Sequence, residues 1–111
     1  MQIVVSGETG STAKVVLIGK LDVVGADAVA QPLASLAGAK TGLIVDMSGV
    51  TFIVSKGLHQ LISAAKALAR RGGKLVLVNP NAVVQEVLVA AGIVDLMPIV
   101  ATEGEAVALI G

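Results

Sequence analysis

The stretch that decides the fold reads VDMSGVTFIVSKGL, residues 45–58. It continues an apolar run, residues 43–45, of the kind that forms a strand buried on both faces of a parallel sheet. The strand is predicted to end at Asp46, followed by a loop that crosses its carboxyl end and a helix that begins at Ser55. Strand, loop and helix in this order indicate an α/β fold, whose sites are usually built at the carboxyl edge of the sheet.

Segments of strand type and helix type alternate on both sides of this stretch. Two β-branched runs, residues 3–5 and 15–18, are separated by glycines and predict a hairpin. Composition and apolar spacing predict further helices and strands, namely helices over residues 26–39, 55–71 and 83–91, strands over residues 75–78 and 97–100, and a last short helix. The predicted order is β-β-α-β-α-β-α-β-α, one α/β domain over residues 1–111. Its mixed, mostly parallel sheet has about five strands and packs with about four helices.

Particular residues mark where the helices begin or bend. Pro32 lies inside the first helical segment and is expected to kink or break it, because proline lacks a backbone donor and clashes with the preceding turn. Asn81 stands at an N-cap position, and Thr102 with Glu105 forms a capping-box pattern. Ser55 also stands where an N-cap is expected.

The composition limits the possible functions. The chain has 111 residues, of which 55% are apolar and 14% are charged, with a formal net charge of +0. So much apolar surface argues against disorder, and the lack of a basic excess argues against nucleic-acid binding. Aromatic residues make up 1%, so stacking platforms for bases or sugars are not expected.

Cysteine usage and apolar run lengths bear on compartment. There are 0 cysteines, which excludes disulfides, thiol catalysis and cysteine metal sites and fits a reducing compartment. No uncharged stretch is long and apolar enough for a spanning helix, and residues 1–4 lack the features of a signal peptide. The expectation is a soluble, cytoplasmic domain without direct membrane insertion.

Enzyme chemistry has little support in the residues. His59 is the sole histidine and is expected to be solvated on the polar face of its helix. No nucleotide-binding glycine fingerprint lies between a strand and a helix. The carboxylates are scattered, at Asp22, Asp27, Asp46 and Asp95. We therefore predict no catalytic residue, no metal and no cofactor.

Ser55 admits two interpretations. As an N-cap, its oxygen accepts a hydrogen bond from an amide two or three residues on. As a phosphoacceptor, it would place a phosphate at the positive end of the helix dipole. Gly57, which has no side chain, would let another protein or a nucleotide phosphate approach the backbone closely.

Taken together, the motifs resemble the STAS domain family of anti-sigma factor antagonists over essentially the whole chain. Residues 46–53 followed by x-Ser55-x-Gly57-Leu58 are similar to the family signature. Gly19-Lys20-Leu21-Asp22 matches an upstream Gly-Glu-Leu-Asp element, with Lys20 in place of the glutamate. Gly72-Gly73-Lys74-Leu75 and Ala91-Gly92-Ile93 fit as well.

The resemblance implies a partner-switching module. Such domains bind a GHKL-type ATPase that is both an anti-sigma factor and a serine kinase, and a PP2C-type phosphatase reverses the phosphorylation. By this resemblance Ser55 is the phosphorylated residue. The implied partner-binding surface comprises Asp22, Thr51, Val54, Ser55, Lys56, Gly57, His59, Gln60 and Ser63.

The chain departs from the family at the acceptor. The family usually reads Asp-Ser-Ser/Thr-Gly, whereas this chain reads Val54-Ser55-Lys56-Gly57. Our hypothesis is that phosphorylation is altered, being slow or carried out by a divergent kinase, while partner binding survives. Two other functions stay open: a STAS accessory subunit of an ABC-type membrane lipid transporter, and a nucleotide-binding sensor. A homodimer is also left open.

Overall fold

The computed structural model describes residues 1–110 and has the predicted order of elements. The elements are β1 (Gln2–Thr9), β2 (Thr12–Leu21), α1 (Val23–Ala39), β3 (Gly42–Ile53), α2 (Ser55–Arg70), β4 (Lys74–Val78), α3 (Ala82–Ala90), β5 (Ile99–Val100) and α4 (Glu103–Ile110). The predicted fold class, a single α/β domain with a mixed sheet and four helices, is therefore confirmed.

The five strands form one sheet in the order β1-β2-β3-β4-β5. β1 runs antiparallel to β2, and the other neighbouring pairs are parallel. Gly10 and Ser11 connect the hairpin, and Gly10 has φ 58°, a left-handed conformation that glycine adopts without steric cost. Because β2, β3 and β4 are parallel, the helices that follow them all begin at one edge of the sheet.

Both faces of the sheet carry apolar side chains, and each face has its own core. The larger core packs alternate residues of β2, β3 and β4, such as Leu17, Val45 and Leu77, against α1, α2 and α3. The smaller core lies on the opposite face, where Ile44, Val76 and Val78 meet Ala106 of α4. Residues buried on both faces explain why the central strands read as unbroken apolar runs.

The loop predicted after Asp46 is wrong, because β3 continues to Ile53. The strand stays paired with β2 to its end, where Leu21 lies opposite Ile53. Asp46 accepts hydrogen bonds from the backbone and hydroxyl of Ser48 at 2.9 and 2.7 Å, a local turn-like arrangement at an irregularity of the β2–β3 register. Burial of Val50 then anchors the distal half of the strand.

The first helix also differs from the prediction. It begins earlier, at Val23, because Asp22 caps it by accepting a hydrogen bond from the Gly25 amide at 2.8 Å. The predicted break at Pro32 is wrong, since α1 continues through this residue. Pro32 cannot donate to the carbonyl of Ala28, but Ala28 is exposed, so water can satisfy that carbonyl.

The caps of the last two helices agree with the predictions. Asn81 caps α3 by accepting from the Val84 amide at 2.8 Å. The hydroxyl of Thr102 accepts from the Glu105 amide at 3.2 Å, as expected of a capping box. The strand predicted over residues 97–100 is shorter, with β5 limited to Ile99–Val100.

Candidate functional site

The helix starts after β2, β3 and β4 bring the predicted site residues to one edge of the sheet. Ser55 is the first residue of α2 at this edge. It lies between the start of α1, which Asp22 caps, and the start of α3, which Asn81 caps. We use the name Ser55 surface for the exposed or half-buried residues at the end of β3 and along the first half of α2. They are Thr51, Val54, Ser55, Lys56, His59, Gln60 and Ser63. The fold thus gathers most of the predicted partner-binding residues.

Ser55 is exposed, but it is not the N-cap that its position in the sequence predicted. It is the first helical residue, and the cap position belongs to Val54. The side chain of Val54 cannot accept a hydrogen bond, and the first turn of α2 contains no acidic residue. The amide N–H groups of this turn are therefore left without a side-chain acceptor, next to an exposed serine hydroxyl.

Lys56 has a partner within the protein. Its Nζ lies 2.7 Å from Oδ1 of Asp27, so the pair joins the first turn of α2 to α1. Both side chains are well exposed, at 45% and 65%, so the pair contributes no more than about 1 kcal/mol. The basic residue that distinguishes this chain from the family motif is thus partly neutralised, and Asp27, named only as a scattered carboxylate, belongs to the site.

Gly57 is buried and serves packing inside the protein. A Cβ at this position would lie 2.6 Å from Cγ of Leu21 and 2.7 Å from its carbonyl oxygen. The interpretation that Gly57 admits a partner to the backbone is therefore corrected: its missing side chain lets α2 approach the end of β2.

Asp22 and Thr51 are held in place by bonds within the edge. Asp22 is half-buried, and its carboxylate is engaged as the cap of α1. The Thr51 hydroxyl donates to the carbonyl of Gly19 at 3.4 Å. Asp22 thus has a structural role that the sequence pattern did not indicate.

Asn81 is a residue of the edge whose second role the sequence did not reveal. Besides capping α3, its Nδ2 donates to the carbonyl of Val50 at 3.0 Å. One side chain therefore ties the start of α3 to the distal part of β3. An asparagine between a predicted strand and a predicted helix was the available signal for the cap, but its contact with β3 joins residues 31 positions apart.

His59, Gln60 and Ser63 continue the surface along α2. His59 and Ser63 are exposed, and Gln60 is half-buried. His59 lies four residues after Ser55 and Ser63 four residues after His59, which puts both on the side of the helix opposite its buried leucines, and Gln60 lies on the flank of that side. The Ser55 surface thus continues along α2 with polar side chains.

A metal site and a membrane-spanning helix are both absent from residues 1–110. Within residues 1–110, no group of three histidine, cysteine, aspartate or glutamate side chains is placed to hold a metal ion. Over the same residues, no helix has both the length and the apolarity needed to cross a membrane.

Comparison with known proteins shows which family and which solved structures this fold resembles. The family model described as STAS domain matches residues 4–106. No curated protein matches the chain in a sequence comparison. Solved structures resemble it at low sequence identity, so that they establish the fold.

Two of these structures are of the anti-sigma factor antagonist SpoIIAA. Its unphosphorylated form is 24% identical, with a TM-score of 0.83 and coverage of 98% of this chain and 96% of that one. The phosphorylated form from Bacillus is 23% identical, with a TM-score of 0.77 and coverage of 99% and 100%. A third, the STAS domain of a SulP transporter from Vibrio cholerae, is 25% identical, with a TM-score of 0.70 and coverage of 94% and 84%.

Proposed function

The chain belongs to the STAS domain family, and on this premise we propose that it is a regulatory protein-binding module of the anti-sigma factor antagonist type. It acts in the cytoplasm, binds an anti-sigma factor that is also a GHKL-type serine kinase, and carries out no catalysis itself. Ser55 is the acceptor in a phosphorylation-controlled partner switch, which a PP2C-type phosphatase resets. We keep Asp22 among the proposed partner-binding residues because it precedes the exposed Val23 at the start of α1.

The observation that carries this proposal is the position of Ser55. An exposed hydroxyl stands at the start of α2, at the carboxyl edge, beside amides without a side-chain acceptor. A kinase can reach this hydroxyl, and a phosphate on it would meet the positive end of the helix dipole.

A phosphate at Ser55 would change the binding surface strongly. It adds a charge of about −1.5 to −2 to a surface on which the single lysine, Lys56, is already paired with Asp27. A partner that covers this surface would have to desolvate that charge and accept its repulsion from Asp27. Phosphorylation is therefore expected to release the partner.

The residues on either side of Ser55 support a slower phosphorylation of this serine. Val54 gives no carboxylate next to the hydroxyl, and Lys56 is directed to Asp27. A kinase that recognises the family's acidic residue before the serine finds an apolar side chain here. We therefore expect slow phosphorylation by such a kinase, with binding retained.

The test is a kinase assay with purified proteins. The chain is incubated with a GHKL-type anti-sigma factor from the same genome and ATP, and intact masses are followed over time. We expect binding by wild type, slow phosphate transfer to Ser55, none with Ser55→Ala, and unchanged transfer with the control Ser35→Ala, an exposed serine of α1 outside the Ser55 surface. Restoring the acid with Val54→Asp should accelerate transfer. Rapid stoichiometric modification of wild type would refute the altered kinase step, and a lack of binding to every such kinase would refute the switch.

A second function, an accessory subunit of an ABC-type membrane lipid transporter, is favoured by one observation. The start of α1 exposes Val23 and Val24, and Val54 at the same edge of the sheet is half-buried, so the edge is more apolar than the family motif implies. STAS domains also occur in transporters, as the Vibrio cholerae structure illustrates. Copurification with an ABC ATPase and permease, unaffected by Ser55→Ala, would support this function over the switch.

A further inference from the structure

Helix α3 exposes an apolar surface that nothing in the chain covers within residues 1–110. Val84 and Leu88 face the core, but Val83 is 61% exposed and Val87 is 37% exposed, one turn further along the helix. Glu86 lies beside these two valines and is exposed. A helix that is apolar on nearly all sides is normally buried, so the outer side of α3 is suited to an interface.

The charges of the chain are strongly segregated although they sum to +0. Every lysine and arginine lies at or before Lys74. The residues after it carry only acidic groups, which are Glu86, Asp95, Glu103 and Glu105. The surface of α3 is therefore apolar and acidic, and its complement must be apolar and basic.

The C-terminal half of α2 offers such a complement. Lys66, Ala69 and Arg70 are exposed and lie next to one another on the surface of α2, so a small apolar side chain adjoins two cations. Lys66 and Arg70 are exposed, and among the described residues neither forms a salt bridge. Lys66 and Arg70 are one helical turn apart on α2, and Val83 and Val87 are likewise one turn apart on α3.

We propose that α3 of one copy docks on the C-terminal half of α2 of a second copy. Val83 and Val87 would cover Ala69, and Glu86 would pair with Lys66 or Arg70. The two surfaces are different, so the contact is head-to-tail, and it continues to further copies unless a ring closes. Opposite charge on the two surfaces, and not apolar area alone, selects a second copy as the occupant.

The proposed contact between α3 and the C-terminal half of α2 includes neither Ser55 nor the residues next to it. It is therefore independent of the proposed phosphorylation switch. Self-association through α2 and α3 leaves the first turn of α2, with Ser55 and Lys56, free in each copy. A partner protein could then bind to associated copies as well as to single ones.

The first experiment is sedimentation velocity of the full chain from about 10 µM to about 1 mM, the range expected for a small interface. We expect the average mass to rise above 11.0 kDa with concentration. The rise should weaken between about 0.01 M and about 1 M salt, because the ion pairs are exposed. A chain that stays monomeric at the highest concentration, or whose association does not weaken with salt, overturns the proposal.

The second experiment is a charge swap between copies. Glu86→Lys and Arg70→Glu should each weaken association, because the first adds a third positive charge to the contact and the second replaces one of the two cations that face Glu86 by an anion. A mixture of the two variants should associate again, since the lysine introduced on α3 of one variant faces the glutamate introduced on α2 of the other. The opposite contact in the same mixture joins the unchanged Glu86 and Arg70, which still match. Circular dichroism verifies that each variant is folded.

A matched control excludes general attraction between oppositely charged proteins. Glu105→Lys and Lys20→Glu shift the net charge by the same two units in opposite directions but lie outside the proposed contact. Their mixture should behave like wild type, with no gain in association over either variant alone. The proposal fails if the Glu86→Lys and Arg70→Glu mixture does not associate, if either variant alone associates like wild type, or if the control mixture gains as much.

Discussion

Replacing Gly57 by alanine tests how α2 is seated against the end of β2. The added Cβ would lie 2.6 Å from Leu21 Cγ and 2.7 Å from the Leu21 carbonyl oxygen. The side chain can turn away, but the carbonyl belongs to the backbone where Val54 donates to it at 3.0 Å. Helix α2 must therefore shift outward, and its first turn carries the Ser55 surface.

The expected loss of stability follows from two opposing effects. Overpacking in a tight contact costs about 1–3 kcal/mol, and the backbone contact puts this case near the upper end. Alanine in place of glycine within a helix returns about 1 kcal/mol. We expect Gly57→Ala to be less stable than wild type by about 1–2 kcal/mol. For a chain of this length, that is a fall in Tm of about 4–8 °C.

Gly38→Ala is the matched control. Gly38 also lies in a helix, α1, but a Cβ there would meet nothing within 4 Å. The same substitution should raise Tm by up to about 4 °C, because only the gain in helix propensity remains. The two variants thus differ in the sign of their effect.

Far-UV circular dichroism during thermal unfolding is the suitable assay, since the chain has 0 tryptophans and 0 tyrosines as fluorescence reporters. Binding to the kinase partner should weaken in Gly57→Ala and be unchanged in Gly38→Ala. A Gly57→Ala protein as stable as wild type, measured beside a stabilised Gly38→Ala, would refute the reasoning.

Three further experiments test the edge. Asn81→Ala removes both a cap and the bond to the Val50 carbonyl, so it should cost about 2 kcal/mol, measured by urea denaturation. A loss of about 1 kcal/mol, the usual value for a cap alone, would mean that the second bond contributes nothing. Val54→Asp supplies the missing N-cap and should stabilise the protein by about 0.5–1 kcal/mol, seen as a higher Tm, and no gain would show that α2 does not need a cap there. A double-mutant cycle on Lys56→Met and Asp27→Asn, with the free energy of unfolding measured by urea denaturation, should give a coupling energy of about 0.2–1 kcal/mol that disappears at high salt. A coupling energy above that range, or one that salt does not reduce, would contradict the interpretation of Lys56 and Asp27 as an exposed ion pair.

The sequence predicted those elements whose pattern follows a single physical period. Helix α2 is marked by buried Leu61 and Leu68 at helical spacing and by an exposed polar side. Strand β4 is marked by its unbroken apolar run and the glycines before it. For such segments the local pattern and the tertiary packing favour the same structure, so the order of elements was predictable.

Residues 46–53 behave differently because their local pattern and their pairing disagree. Asp46, Ser48 and Gly49 are residues of turns, yet pairing with β2 holds the segment in a strand. Residues 23 and 24 are valines, which disfavour a helix start, and the Asp22 cap overcomes that preference. In both cases the deciding contact joins residues or backbone groups that the local periodicity does not describe.

The site was predictable in its position but not in its contacts. Its place after β3 and the exposure of Ser55 follow from the α/β pattern. The cap position depends on one residue's backbone angles, which decided between Val54 and Ser55. The pairing of Lys56 with Asp27 and the contact of Gly57 with Leu21 bring together separate elements, and spacing within one sequence does not reveal them.

The attachment of α4 to the sheet is weak. Of the residues Glu103–Ile110, only Ala106 is fully buried, and the ion pair of Glu103 with Lys14 lies at the surface. Detachment of this helix would disturb the smaller core and leave the larger one intact, so its amides should exchange with solvent by local opening well before global unfolding. The opened molecule would expose Ile44, Val76 and Val78, a strip of β-branched side chains across the middle of the sheet. The shelf life of concentrated samples should therefore be governed by the rate at which α4 detaches, and not by the melting temperature of the domain.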